Sequence, residues 1–421
     1  MGYYFFYLQL VLCVSYFLFA YRRVDLLTIA CFGFVVYLFP LVLPSYFIPE
    51  ALYLINGMIL LLLLIMSILS DSLRSKEASG KDTLLRRQLD NYLFVYTFLK
   101  LCLLFSLLLL FLIASQTGLA GLFEYKTDRQ QNTYIYSLYV AVVSIGGVLS
   151  YAVKSRKIFV YFLGNMILLF LTGTRTHIVM LLLAMLIIYF DGRPVRVFRY
   201  FYRPQLVVFM LSIILLGVYG KDIYASLSRV VTEDQSFSET FQERLNYGSG
   251  RTSFRNAIYA TEPYLTQRIF NRIYLDDYRI ESDYLLHLPA QLLPVSGVIS
   301  DKLHFFSNSV KTRFFATHVN SGISANFWAE GYSLAGVFGV FAFVLLFLCV
   351  LYWLNRLVFS APYFLRPILV LMGVFFAFYI QRNSLFQIIS HEKRMFYVTL
   401  FLIVLTYTGI YFVQRKPRAL A

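Results

Sequence analysis

Apolar residues run along this chain in long unbroken blocks, without the regular polar interruptions that mark the helices and strands of a soluble fold. Residues 92–114 and 331–354 each supply about 20 apolar or near-apolar positions, enough for a helix to cross ~30 Å of hydrocarbon. Lipid offers backbone N–H and C=O groups no partner, so such blocks close their hydrogen bonds internally as helices. The period-two polarity of a membrane barrel is missing. About eleven spans follow, at 3–20, 25–43, 51–70, 92–114, 134–153, 158–173, 176–190, 206–220, 331–354, 367–381 and 396–413. The expected fold class is all-α, a polytopic transmembrane helical bundle with one large helical extracytoplasmic loop. It divides into an N-terminal bundle over 1–220, the loop over 221–330 and a C-terminal bundle over 331–421.

Polar residues take over for a long stretch only in 221–330, which is rich in Ser, Asn, Arg and Tyr. There Phe254, Ile258, Leu265, Ile269 and Ile273 recur near the helical period, which predicts amphipathic helices broken at Pro263. Residues 284–299, around Pro289 and Pro294, are apolar enough to dip into the membrane interface. No internal repeat is visible, and no pair of matching broken helices such as many secondary transporters carry.

Composition agrees: 59% of the 421 residues are hydrophobic and 14% charged. Charge adds an orientation. The net charge of +15 suggests nucleic acid until its distribution is examined. The loop holds 12 acids and 11 Lys/Arg, a balance of −1, while the rest of the chain carries +16, mostly in short connections. Alternate connections hold 19 Lys/Arg against six, and the basic set faces the cytoplasm by the positive-inside rule. The loop and N-terminus are then expected outside and the C-terminus inside, with no nucleic-acid partner. Cys13, Cys31, Cys102 and Cys349 all fall in apolar runs and read as packing residues, with no disulfide framework for the loop. The first block lacks a basic leader and a small-residue cleavage site, so it reads as a span.

No HExxH, Walker A loop, zinc-type Cys/His spacing or DxD-type acidic pair is present, and neither a metal nor a cofactor is expected. Asp276-Asp277 fits a solvated turn. All five histidines (His177, His287, His304, His318 and His391) fall on or near the outward side. The densest outward feature is cationic. Arg175 sits in the turn Thr172-Gly173-Thr174-Arg175-Thr176, where an arginine near hydrocarbon needs a partner or an anionic ligand. Its guanidinium fork suits a phosphate or pyrophosphate, with snorkelling or a helix–helix salt bridge as the alternative. Arg251 and Arg255 are four apart on one helical face, where like charges repel and invite an anion. Arg268 and Arg272 repeat that spacing, although Glu243, Glu262 and Asp276 offer neutralisation instead. Arg313, Arg382 and Arg394 complete an outward basic set that fits the lining of a cavity over the membrane. His318 and Glu330 precede the long span at 331–354. Either suits a general base, and each also has a plainer role, as a hydrogen-bonding surface residue and as a helix N-terminal acid respectively.

The 172–176 turn and the run from His318 through Ala329-Glu330-Gly331-Tyr332 to Gly336 lead into spans. Together with the single large outward loop they resemble the O-antigen polymerase (Wzy) family, whose layout the O-antigen ligases share. The resemblance implies a metal-independent glycosyltransferase at the periplasmic face of the bacterial inner membrane. It would move a growing glycan from undecaprenyl pyrophosphate onto the next lipid-linked oligosaccharide repeat. Arg175, Arg251, Arg255, Arg313, Arg382, Arg394 and Tyr332 would hold pyrophosphate and sugar, with His318 or Glu330 as the base. The implied partners are the lipid-linked oligosaccharide, membrane lipid and a chain-length regulator protein. A ligase transferring glycan to lipid A-core is the nearest alternative. A flippase for the same lipids is more distant, because apart from Lys100 almost no ionisable residue lies deep in a span.

Overall fold

A computed structural model describes residues 1–74, 92–121, 133–171, 175–200, 202–204, 236–247, 258–259, 261–281, 284–293 and 325–415, with a few isolated positions between 208 and 314. Most of the predicted span 206–220, together with Arg251, Arg255 and His318, lies outside the described residues. The helices are α1 (Gly2–Phe19), α2 (Leu26–Val42), α3 (Glu50–Arg74), α4 (Tyr92–Gly121), α5 (Thr133–Ala152), α6 (Arg156–Leu171) and α7 (Arg175–Phe190). Within the loop come α8 (Phe237–Tyr247), α9 (Glu262–Leu275) and α10 (Leu288–Leu292). The chain closes with α11 (Phe327–Ser360), α12 (Leu365–Tyr379) and α13 (Leu385–Arg415). Every predicted span apart from 206–220 coincides with a helix, and the protein is all-α and polytopic. Among the described residues six helices, α1, α3, α4, α5, α11 and α13, are long and apolar enough to cross a membrane. The apolar helices α2, α7 and α12 are shorter.

The bundle has a loop end and an opposite end, and polar knots tie each. At the opposite end β1 (Arg22–Arg23) pairs antiparallel with β2 (Pro194–Val195). Arg366 meets Asp191 at 2.8 Å, and the Tyr363 hydroxyl donates to the Ala152 carbonyl. Arg22, only 3% exposed, sets its guanidinium against Asp25 at 3.3 Å and Asp71 at 3.0 Å, over the Phe17 ring. Asp25 is also the N-cap of α2, accepting from the Thr28 N–H, and takes a further hydrogen bond from Asn355 of α11. The arginine is buried because two carboxylates and an aromatic face replace its water. Cys13 and Cys31 pack with their sulfurs 3.6 Å apart as free thiols, and Cys102 is buried too, whereas Cys349 is exposed.

At the loop end α2 stops two residues after Pro40, leaving carbonyls without helical donors. Tyrosines supply them. Tyr53 donates to the Leu41 carbonyl and Tyr264, from α9, to that of Leu43. Further along α9, Gln267 donates to the Tyr37 carbonyl and Asn271 to that of Phe47. Its inner face (Tyr264, Thr266, Gln267, Ile269, Phe270, Ile273) is buried, as the apolar spacing predicts. Pro263, expected to break this helix, instead stands in its first turn, where its missing N–H costs nothing. The segment 284–293 leaves Leu285, Leu286, Leu292 and Leu293 exposed while Lys393 and Tyr397 of α13 hold the Leu293 and Leu292 carbonyls.

The predicted span 331–354 begins earlier and folds back on itself. The helix starts at Phe327 and breaks at Ala335 and Gly336, where Gly336 takes φ 63°. Residues 327–334 then pack against the helix that follows. Phe327 meets Phe343 at 4.7 Å between ring centroids, and Trp328 meets Phe347 at 5.8 Å and Phe34, midway along α2, at 6.0 Å. The end of the polar loop therefore reaches the mid-level of the bundle before turning back. Asn326 caps this short helix through the Trp328 and Ala329 N–H groups, and Arg279 and the Ile280 N–H satisfy its terminal carbonyls at Tyr332 and Ser333.

The fold-back needs glycine on both sides of the contact. A methyl group at Gly339 would overlap the Gly331 carbonyl oxygen, whereas one at Gly409 meets nothing within 4 Å. Gly339→Ala is expected to destabilise the purified protein by at least about 1–3 kcal/mol, lowering its thermal midpoint in detergent, while Gly409→Ala leaves the midpoint unchanged or raises it.

Candidate functional site

Two of the residues that the sequence marks for chemistry, Glu330 and Arg382, meet around one short turn, 380–384, between α12 and α13. Ser384-Leu385-Phe386-Gln387 forms a capping box. The Ser384 N–H donates to Gln387 Oε1 at 3.0 Å, and the Gln387 N–H to Ser384 Oγ at 3.4 Å. The next free donor of the helix, the Leu385 N–H, points at Glu330 Oε2, 2.7 Å away. Glu330 comes from the fold-back helix and is fully buried. Its other oxygen accepts from the Tyr284 hydroxyl, contributed by the loop. Burial and the adjacent carboxylate hold the Tyr284 hydroxyl well above the ordinary tyrosine range, so it remains the donor. Glu330 thus joins three separate segments at the N-terminus of α13.

Arg382 occupies the same turn. Its Nε pairs with Glu262 at 2.5 Å, in the first turn of α9, and its Nη1 donates to Thr176 Oγ1 at 3.0 Å. The guanidinium also lies over the Tyr379 ring. Thr176 directly follows Arg175, the first residue of α7, so the start of α7 and Arg382 come together. Gln267 links the turn to α9 through Gln381 Oε1 at 3.5 Å.

Other candidates sit apart from this knot. Tyr332 is buried, donates to Asp277 Oδ1 at 3.2 Å and carries the Arg279 guanidinium over its ring. Arg313 is exposed on the loop. Arg394 is exposed on α13 and donates to Ser390. Arg272 pairs with Asp276 at 3.0 Å, the neutralisation its neighbours offered. The roles read for Arg251, Arg255 and His318 fall outside the described residues, as do the side chain of Arg175 and the surroundings of His304. Among the described residues no group of three or more His, Cys, Asp or Glu could hold a metal ion.

Sequence reasoning missed Tyr284, Gln267 and Arg279, which position this site. Their partners lie 46, 230 and 53 residues away, and no periodicity reports contacts at such separations. The capping box was the one local signal available, since S-x-x-Q stands openly after Arg382.

Comparison with known proteins adds one finding. Residues 5–248 match the model of a family described as "Putative O-antigen polymerase". No curated protein and no solved structure matches the chain.

If Glu330 ties the loop to α13 through Tyr284, the two side chains are energetically coupled. Tyr284→Phe and Glu330→Gln are each expected to lower stability by about 1–3 kcal/mol, with the double variant less destabilised than the sum by at least ~0.5 kcal/mol. Thermal unfolding of the four proteins in one detergent measures this. Strict additivity would show that the two groups do not interact.

Proposed function

Because the chain belongs to the O-antigen polymerase family, a membrane family of glycosyltransferase type, we propose that it joins undecaprenyl-pyrophosphate-linked oligosaccharide repeats at the periplasmic face of the bacterial inner membrane. The observation that supports the placement of the reaction is the convergence on Arg382 of Thr176, at the start of α7, and Glu262, in the first turn of α9. Basic outward groups gathered at one end of an apolar bundle suit a ligand whose anion sits at the membrane surface and whose tail lies in lipid.

In this reading Glu262 occupies the place of an anionic oxygen, keeping the Arg382 fork oriented until pyrophosphate exchanges with it. Arg175, Arg251, Arg255, Arg313 and Arg394 supply further positive charge from the outward turns and the loop. The acceptor hydroxyl gives its proton to His318 as its oxygen bonds to the anomeric carbon of the donor sugar. The bond from that carbon to the pyrophosphate oxygen breaks, and its electron pair leaves on the lipid pyrophosphate. Arginines placed where this charge develops lower the barrier without a metal. Glu330 and Tyr332 act as positioning residues, since each is buried and engaged within the protein. A chain-length regulator protein would act from outside this machinery.

Deleting the gene in the source bacterium should remove long glycans, leave single repeats on the final acceptor and enlarge the lipid-linked repeat pool. Full-length glycan stranded on its lipid carrier would make the protein a ligase instead. In the deletion strain Arg382→Ala is expected to restore no ladder on a gel, with polymer formation in membranes down about 10²–10³-fold. Arg382→Lys should also fail, because a single ammonium lacks the separate Nε and Nη1 donors that reach Glu262 and Thr176. A normal ladder from Arg382→Ala would remove Arg382 from the site.

A further inference from the structure

One buried acid–base pair at the loop end takes no part in the machinery above. His391 and Glu392 lie two turns into α13. Both ring nitrogens of His391 and Oε1 of Glu392 are buried, and among the described residues none of the three has a hydrogen-bond partner. Nδ1 and Oε1 stand 3.6 Å apart, too far for a hydrogen bond with each other. Such atoms are costly to leave unmet, and native proteins rarely do so without a ligand or water. Unlike Glu330, the two side chains are 15% and 22% exposed, through atoms beside the three unpartnered ones.

Their surroundings connect them to the site. The His391 ring lies flat on Phe375 of α12, with centroids 3.6 Å apart, and 5.5 Å from the ring of His177. His177 follows Thr176, the residue that receives Arg382. On the same stretch of α13, Lys393 and Tyr397 hold the carbonyls of Leu293 and Leu292, so the loop segment 284–293 runs beside the pair. The pair therefore lies between loop and bundle, one ring contact and one residue from the Arg382 partner.

The chemistry of the open valences selects the ligand. A neutral imidazole presents one donor and one acceptor, and the carboxyl group of Glu392 a further acceptor oxygen beside them. A phosphate only accepts and an ammonium only donates. Neighbouring sugar hydroxyls do both and fit between groups 3.6 Å apart. We propose that His391 and Glu392 form a subsite for the hydroxyls of one sugar of the lipid-linked repeat, beside the pyrophosphate clamp. This rests on the polymerase reading and assigns part of its substrate to a place in the fold.

The test uses membranes of the deletion strain, which accumulate the lipid-linked repeat, supplied with the reconstituted full-length protein. The probe is the free oligosaccharide released from that pool by mild acid, added as a competitor of polymer formation. For His391→Ala and Glu392→Gln the half-inhibiting concentration should rise at least about tenfold and the KM for lipid-linked repeat should rise with it, while the maximal rate stays within about threefold of wild type. His391→Gln, which keeps a donor and an acceptor, should recover part of the affinity. Unchanged inhibition in both variants would mean that water alone fills the subsite and would overturn the proposal. So would a fall in maximal rate with inhibition and KM unchanged, which is the mark of a packing role. Failure of the wild-type protein to extend the accumulated pool would instead overturn the polymerase reading, and this assignment with it.

Discussion

A carboxylate removed from water must find its hydrogen bonds inside the protein, and at the loop end Glu330 imposes that requirement on everything around it. Its two donors come from opposite directions, the Tyr284 hydroxyl from the loop and the Leu385 N–H from the start of α13. For Glu330 to reach them, its helix must leave the long span and turn back toward the middle of the bundle. The Gly331–Gly339 contact and the left-handed Gly336 make that turn possible. Once the fold-back helix is in place its own ends need partners. Asn326 caps one end, while Arg279 and the Ile280 N–H satisfy the other. Each of these residues draws a further piece of loop into the bundle. One buried acid thus links parts of the chain about a hundred residues apart, from Tyr284 in the loop to the turn that carries Arg382.

The opposite end repeats the logic with the sign reversed. There the buried ion is a cation, Arg22, and its environment is built from Asp25, Asp71 and the Phe17 ring. Asn355, near the far end of α11, hydrogen-bonds Asp25 and also takes the Leu26 N–H. The helix that carries Glu330 at one end is therefore clamped to α2 at the other. An arrangement fixed at both ends transmits little strain between them by bending, so Arg382 and its neighbours sit on a stiff frame. Stiffness of this kind suits a site that must present positive charge before the charge it stabilises has developed.

What the sequence reveals divides along a physical line. Apolar blocks report helices directly, because crossing lipid demands both length and continuity, and α1 through α7 follow the predicted spans within a few residues. The amphipathic spacing of Leu265, Ile269 and Ile273 likewise reports the inner face of α9. Pro263 was misjudged because proline reads alike as a break and as a first-turn residue; only the position of Thr261 as N-cap decides. The fold-back at 335–336 was hidden for a different reason. Residues 327–334 mix Phe327, Trp328 and Leu334 with Glu330 and Ser333, and hydropathy is blind to chain direction. The meeting of Arg382 with Thr176 was partly legible, since both were expected in outward connections. The pairing of Arg382 with Glu262, 120 residues away, was not. His391 was expected on the outward side, yet nothing in a run of letters shows that its nitrogens lack partners.

The long-range character of the Glu330 contacts also bears on how the protein is made. Leu385 lies 55 residues beyond Glu330, and Glu262 waits still longer for Arg382. A chain threaded into the membrane from its N-terminus therefore holds a finished loop and most of its helices before either partner exists. Until the turn between α12 and α13 emerges, the Glu330 carboxylate cannot be buried as it is in the mature protein, and the fold-back helix has no reason to settle beneath the loop. The α12–α13 hairpin, synthesised after the loop, is thus the one that closes the site. A chain truncated before Leu385 would hold the loop and the helices before it and yet lack an assembled centre, which makes the α12–α13 hairpin a natural checkpoint between insertion and activity.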